Sequence, residues 1–289
     1  MFANIGTVRS FLLVPADDEA ALLAARAVPA DALILDGGDS VAPDRRERAH
    51  GLIAEFLADR GAQSVWVRLA PGGRYHDIAL LRPDGFVLPG IDEHDALYAP
   101  DALIALAEKE AGLTEGTIKF MVSASDEAEA VLNLDTYHYP ALPRLAALTW
   151  DARTLALGIG AAAVREEGAF TALFQTVRTF TLMAAKAASA AAVEAGFSGL
   201  GDHAGLACVA REAVRDGFTG MTALHPEQVE VINAAFTPTP EHVERAKAVL
   251  AGFAGNFGSY WRDGRTYDDR HLKMAQRIVA LAEAVKREA

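Results

Sequence analysis

The feature that most constrains the fold is an alternation. Eight short apolar runs, at residues 10–15, 32–36, 65–69, 85–89, 118–122, 145–150, 196–200 and 220–224, are separated by stretches with helical spacing, such as 19–26, 45–57, 102–111 and 127–134. Short runs rich in β-branched and aromatic residues read as buried strands, and buried parallel strands need helical crossovers between them. Eight βα units in a chain of 289 residues favour a closed (β/α)8 barrel over an open doubly wound sheet, which stays as the alternative. Local signals agree. Asp17 and Asp18 can cap the first helix, and Pro226 suits the first turn of a helix running to Ala234. The alanine-rich segment 170–195 reads as one long helix, or as a helix broken near Ser189. About sixty residues follow the eighth run. Thr237-Pro238-Thr239-Pro240 reads as a stiff linker into a helix near 241–253, residues 256–266 as a loop or short hairpin, and 269–288 as a final amphipathic helix. The expected division is therefore a barrel over 1–236 and a helical extension over 237–289, which packs on the barrel or on a neighbouring subunit.

Bulk properties exclude several classes. Apolar residues make up 51% of the chain, enough for a large core, and the formal charge is −12 without any Lys/Arg block. Nucleic acid and an anionic membrane surface are therefore not expected partners. Residues 1–8 lack the charged and apolar regions of a signal peptide, and the most apolar stretch, 182–193, carries Lys186 and is too short to span a bilayer. The single cysteine, Cys208, leaves no intrachain disulfide framework. A soluble cytoplasmic protein is expected.

The chemistry-bearing residues sit where runs end. The segment Leu35-Asp36-Gly37-Gly38-Asp39-Ser40-Val41 closes the second run with two carboxylates around two glycines. It reads either as an oxygen shell for a divalent metal or as a βα turn in which Asp39 caps the next helix. Arg68 closes the third run. A guanidinium there needs partners. It can clamp a carboxylate or a developing enolate, pair with Asp36 or Asp39, or do both. Asp126 follows the fifth run, either as a metal ligand or as an N-cap in a capping box with Glu129. The polar residues of Trp150-Asp151-Ala152-Arg153-Thr154 follow the sixth run, and His225 the eighth, as a mouth residue or a structural one. The histidines show no zinc-type spacing, and Walker, GxGxxG and GxSxG motifs are absent from the sequence. Lys119 lies early in its run and Lys186 in a helix, which disfavours a Schiff-base aldolase.

Taken together these residues resemble the citrate lyase beta-subunit-like branch of the HpcH/HpaI aldolase family, over roughly residues 9–277. Arg9-Ser10 with Val14-Pro15 is similar to the family's opening "RS…FVPG", residues 35–41 to "LDLEDAV", Val67-Arg68 to "VRVN" and Val87-Leu88-Pro89 to "LPK". Leu148-Thr149-Trp150 with Leu155 is similar to "LTWGAEDL", residues 222–229 to "AIHPxQV", and Asp263-Gly264 with Asp268, His271 and Leu272 to "DGxMIDxPHL". The resemblance implies a (β/α)8 barrel that assembles as a trimer or hexamer. It also implies Mg²⁺-dependent carbon–carbon lysis or condensation on a small oxo-acid or an acyl-CoA such as citryl-, malyl- or citramalyl-CoA.

By the same resemblance the catalytic residues are Arg68, Asp268 and Asp36. Arg68 matches an arginine that stabilises a thioester enolate, and Asp268 an acid/base aspartate that reaches a neighbouring subunit's site in some members. Arg68, Asp39 and Pro89 match substrate-binding positions, and Asp126 a metal ligand, with Asp151 or Thr154 as the second. The chain departs from the motifs at several points. Gly38 replaces the glutamate of "LEDAV", Gly90 the lysine of "LPK", Arg153 and Thr154 the acidic pair of "GAEDL", and Asp151 its glycine. These departures keep a second expectation open: a catalytically impaired relative that binds an acyl-CoA or a carboxylate. A purely structural barrel subunit is the third.

Overall fold

A computed structural model describes residues 5–38, 40–138, 142–254 and 258–288. In chain order the strands are β1 (Ser10–Pro15), β2 (Ala32–Asp36), β3 (Ser64–Arg68), β4 (Gly85–Leu88), β5 (Lys119–Ser123), β6 (Leu145–Thr149), β7 (Arg165–Glu166), β8 (Ala169–Phe170), β9 (Ala191–Glu194), β10 (Gly220–Ala223), β11 (Ser259–Arg262) and β12 (Arg265–Asp268). The helices are α1 (Glu19–Ala25), α2 (Arg46–Ala58), α3 (Tyr75–Ala79), α4 (Tyr98–Glu110), α5 (Ala128–Leu132), α6 (Ala152–Ile159), α7 (Ala172–Ala187), α8 (His203–Asp216), α9 (Pro226–Phe236), α10 (Pro240–Phe253) and α11 (Asp269–Glu288).

Strands β1 to β6, β9 and β10 form a closed parallel barrel. Closure is carried by β1, which pairs with β2 through Phe11↔Ala32 and with β10 through Ser10↔Met221. This excludes the open sheet. The period-two pleat separates two cores. Phe11, Ile34, Trp66, Val87, Met121 and Val193 cluster inside the barrel. Leu33, Leu35, Val67, Phe86 and Val122 face outward and pack with helix residues such as Ile53, Phe56 and Ile104.

The expected strands match the observed ones within about a residue, except the seventh. Residues 196–200 form the turn that follows β9, and β9 itself lies inside the segment read as helical. The alanines of 184–192 favour helix locally. What ends α7 is Ser189, held at φ +57°, after which Ala191 and Ala192 pair with β6. Pairing on both strand edges outweighs the local preference. Asp18 caps α1, accepting from Ala21 N at 3.0 Å, and Pro226 opens α9. Residues 256–266 fall partly outside the described residues, and the described part belongs to the β11–β12 hairpin.

After α9, helix α10 leads to that hairpin and to α11. Arg277 of α11 donates from Nε to Gly6 O at 3.1 Å and from Nη2 to Thr219 O at 3.5 Å, so this helix reaches the N-terminal rim of the barrel beside β1 and β10. Among the described residues, no helix is long and apolar enough to cross a membrane.

Candidate active site

Inward-facing residues at the C-terminal ends of the strands form a cavity of about 60 Å³. The pleat that puts Ile34, Trp66 and Met121 inside also turns the next alternate residues, Asp36, Arg68 and Ser123, toward the barrel mouth. Polar wall residues are Arg68, Ser123, Thr149, Asp151, Arg153 and Thr222, above an apolar floor that includes Ile34, Val87 and Met121. Pro89, the expected substrate contact, is on the wall. The space suits a small acid, so a larger group attached to it must extend out of the mouth.

Asp36 and Arg68 are register partners on adjacent strands. Asp36 is fully buried, and its Oδ1 accepts from Arg68 Nε at 3.2 Å and from Gly38 N at 3.0 Å. Its Oδ2 has no hydrogen-bond partner among the described residues. Asp36 thus orients the guanidinium from the adjacent strand while Arg68 reaches the cavity. Gly38 has little room for a side chain, because a Cβ there would lie 3.0 Å from Ala70 N and 3.1 Å from Leu69 C. Asp39, read as a substrate-binding residue or a helix cap, lies outside the described residues.

Asp126 behaves differently from the local capping-box expectation. The N-cap of α5 is Glu127, and the Asp126 carboxylate turns back toward the strand ends instead. Its Oδ1 accepts from Ser123 Oγ at 2.6 Å and from Asp151 N at 2.9 Å. Burial pushes its pKa up from 3.8 to about 7. The bond from Ser123 opposes that rise, the negative charge of Asp151 adds to it, and Arg68 opposes it again. Asp151 is the N-cap of α6, accepting from Arg153 N at 2.9 Å and Thr154 N at 3.4 Å. Thr154 is exposed and is not among the wall residues, so of the two expected second ligands only Asp151 borders the cavity.

A third group escaped the sequence reading. Glu194, at the end of β9, is fully buried and accepts from Trp150 Nε1 at 2.8 Å, Ala195 N at 3.0 Å and Arg178 Nε at 2.5 Å. Arg178 Nη1 also donates to Asp216 Oδ2 at 2.7 Å. This network fixes the indole of Trp150, a wall residue, which also packs on Phe170 of the β7–β8 hairpin at 5.3 Å between centroids. An acid inside the run Ala191-Ala192-Val193-Glu194 was the available signal, since a buried carboxylate requires partners.

Asp268 is not brought to this cavity within one chain. Its carboxylate bonds Arg270 and His271, and those two bonds hold it well below the usual carboxylate range. His225 takes the structural role, capping α9 through Nδ1.

No cluster of three or more His, Cys, Asp or Glu residues arranged for a metal occurs among the described residues. Two carboxylates, Asp126 and Asp151, stand at the ends of β5 and β6, and the charge of Asp151 raises the cost of ionising Asp126. A cation between them would remove that repulsion. A magnesium ion needs no more protein than one or two carboxylates when substrate oxygens and water complete its octahedron. The pair therefore fits Mg²⁺ only as part of a shell finished by a bound acid.

Comparison with known proteins places the fold and the family. The chain is 29% identical to a (3S)-malyl-CoA thioesterase of Cereibacter sphaeroides, over 96% of this chain and 95% of that protein. It is 26% identical to the mitochondrial citramalyl-CoA lyase of Mus musculus, over 96% and 87%. Among solved structures, the CitE protein of Mycobacterium tuberculosis in complex with magnesium, acetoacetate and coenzyme A superposes with a TM-score of 0.68 at 24% identity, covering 96% of this chain and 98% of that one. A citrate lyase from Burkholderia xenovorans superposes with a TM-score of 0.78 at 20% identity, covering 96% and 92%. A family model described as HpcH/HpaI aldolase/citrate lyase matches residues 9–226. The chain belongs to that family, whose members include carbon–carbon lyases of CoA thioesters.

Proposed function

We propose that this protein cleaves or forms the carbon–carbon bond of a 3-hydroxyacyl-CoA or of a small hydroxy- or oxo-acid. The observation that carries the reading is Arg68, a cavity-wall guanidinium oriented by the buried carboxylate of Asp36. In the cleavage direction the bond between the hydroxyl-bearing carbon and the carbon beside the thioester breaks. Its electron pair passes to the thioester as an enolate, and the hydroxyl carbon becomes the oxo-acid carbonyl. Arg68 donates a charge-assisted bond to the enolate oxygen. The hydroxyl proton must leave to a base, and the enolate carbon must gain a proton. Asp268 would take the hydroxyl proton and pass it to the enolate carbon; its bonds from Arg270 and His271 make it a weak base in the single chain, and it gains basicity as those bonds are exchanged for substrate. It would do so in a homo-oligomer, a trimer or hexamer, in which one copy's C-terminal segment covers its neighbour's mouth. Pro89 would flank the substrate on the β4 side, and Asp39 is kept as a further proposed substrate contact.

Asp126 and Asp151 would hold a Mg²⁺ whose remaining ligands are oxo-acid oxygens and water. When bound, that ion supplies Lewis acidity and charge neutralisation at the oxo-acid end. The cytoplasm is the proposed location.

The test is to incubate the protein with citryl-CoA, malyl-CoA or citramalyl-CoA and Mg²⁺ and to identify products. Oxo-acid release shows lysis. Release of free CoA without oxo-acid indicates hydrolysis, as the names of several relatives suggest. Arg68→Ala should lower lysis at least about a hundredfold with folding retained, and undiminished lysis refutes the role of Arg68. A second reading, binding of an acyl-CoA or carboxylate without turnover, draws on the thin acid set beside the cavity. It predicts ligand-induced stabilisation of the fold with no product.

A further inference from the structure

The cavity wall carries a cation that the lyase reading does not use. Arg153 is the second residue of α6, and its backbone is pinned by the bond from its N–H to Asp151 Oδ1 at 2.9 Å. Its side chain is 58% exposed, and its nearest acid, Asp151 Oδ1, lies 3.7 Å from Nε, beyond hydrogen-bond distance. Among the described residues its guanidinium has no hydrogen-bond acceptor. A positive side chain in the first turn also sits at the unfavourable end of the helix dipole, so α6 gains nothing from it. The fold holds this guanidinium by no more than a loose ion pair with Asp151 and places it on the cavity wall with Arg68.

The two arginines come from well-separated parts of the mouth. Arg68 ends β3, Arg153 follows β6, and β4 and β5 lie between them in the barrel. Ser123 and Thr149, both hydroxyl-bearing, occupy the wall between. With Arg68 committed to the enolate oxygen and the oxo-acid end assigned to Asp126 and Asp151, a carboxylate that reaches Arg153 is a further one, and a guanidinium binds a carboxylate through two parallel N–H···O bonds.

We propose that Arg153 is a specificity-determining residue that binds the second carboxylate of a dicarboxylic oxo-acid, on the side of the cavity opposite Arg68. This rests on the oxo-acid reading above and narrows it: the acid product or co-substrate is a four-carbon dicarboxylate rather than a monocarboxylate. Asp151 restrains the rest of the α6 turn, so that the guanidinium alone moves to meet the ligand.

The test is calorimetric titration of the full chain with oxaloacetate and with pyruvate, each in Mg²⁺ buffer, for the wild type, Arg153→Gln and Arg153→Lys. The wild type should bind oxaloacetate roughly tenfold or more tightly than pyruvate, as expected for one added charge-assisted contact. Arg153→Gln should lose that preference by weakening oxaloacetate alone, and Arg153→Lys should restore part of it. The side chain is exposed, so an unchanged melting temperature would confirm that folding is intact. Equal wild-type affinities, or a glutamine variant that weakens both acids alike, overturns the assignment of Arg153. Binding of neither acid by the wild type refutes the oxo-acid reading itself, and the assignment with it.

Discussion

Asp126 offers a quantitative check on the site's electrostatics. It is 8% exposed, and its Oδ1 already accepts from Ser123 Oγ and Asp151 N. Its pKa is raised from 3.8 to about 7, mainly by burial. A group whose folded pKa lies above its unfolded value binds protons more tightly when folded. Stability is therefore lost as pH climbs from the unfolded toward the folded value. The difference of about three units corresponds to about 4 kcal/mol at full ionisation. Asparagine keeps the carbonyl oxygen that accepts both bonds and cannot ionise. Asp126→Asn should therefore match the wild type near about pH 4 and exceed it by about 2–4 kcal/mol near about pH 8 in metal-free buffer. Urea unfolding at both pH values, analysed by linear extrapolation, reads the difference directly. Mg²⁺ with oxaloacetate should narrow the gap by stabilising the ionised wild type. A variant no more stable than the wild type at the higher pH would refute the argument, because the carboxylate would then be solvated or paired better than its surroundings indicate.

Two further substitutions probe the walls. Glu194→Leu leaves Arg178 buried with only Asp216 and removes the acceptor of Trp150 Nε1, so a loss of about 3–5 kcal/mol is expected. The double variant Arg178→Met/Glu194→Leu should lose less than Glu194→Leu alone. A double loss as large as the two single losses added together would show that the residues do not act as a pair. Gly38→Ala should cost about 1–3 kcal/mol, since the new methyl meets the backbone of Leu69 and Ala70. An unchanged melting temperature would mean that the β2–α2 turn shifts freely.

The barrel was legible because its main signals are periodic. Buried strands with apolar runs, separated by helices with their own repeat, survive in sequence whatever the site does. The exception, β9, shows the limit. Ala191-Ala192 carries no strand preference of its own, and only neighbouring strands on both edges make it one. Arg68 and Asp36 were readable as partners because each closes a run, and parallel register sets such ends side by side. Asp126 was harder. A capping box and a turn back toward Ser123 use the same residue types, and the choice depends on Asp151 N arriving from β6. Glu194 was missed for a related reason, since its side-chain partners lie on α7 and just past the end of β6. Asp268 was named from the resemblance alone, and within one chain its carboxylate stays with Arg270 and His271.

The position of α11 bears on the order of events during synthesis. The barrel closes where Ser10 meets Met221, and Arg277 ties that seam to Gly6 across 271 residues of chain. Strand β1 leaves the ribosome first among the strands, yet its second edge stays open until β10 emerges, and the tie waits for α11. Throughout elongation the nascent chain presents an unpaired, apolar strand edge, which is the kind of surface that invites pairing with another chain. The long-range seam also predicts slow closure, because the entropy of bringing such distant segments together precedes any gain from their contact.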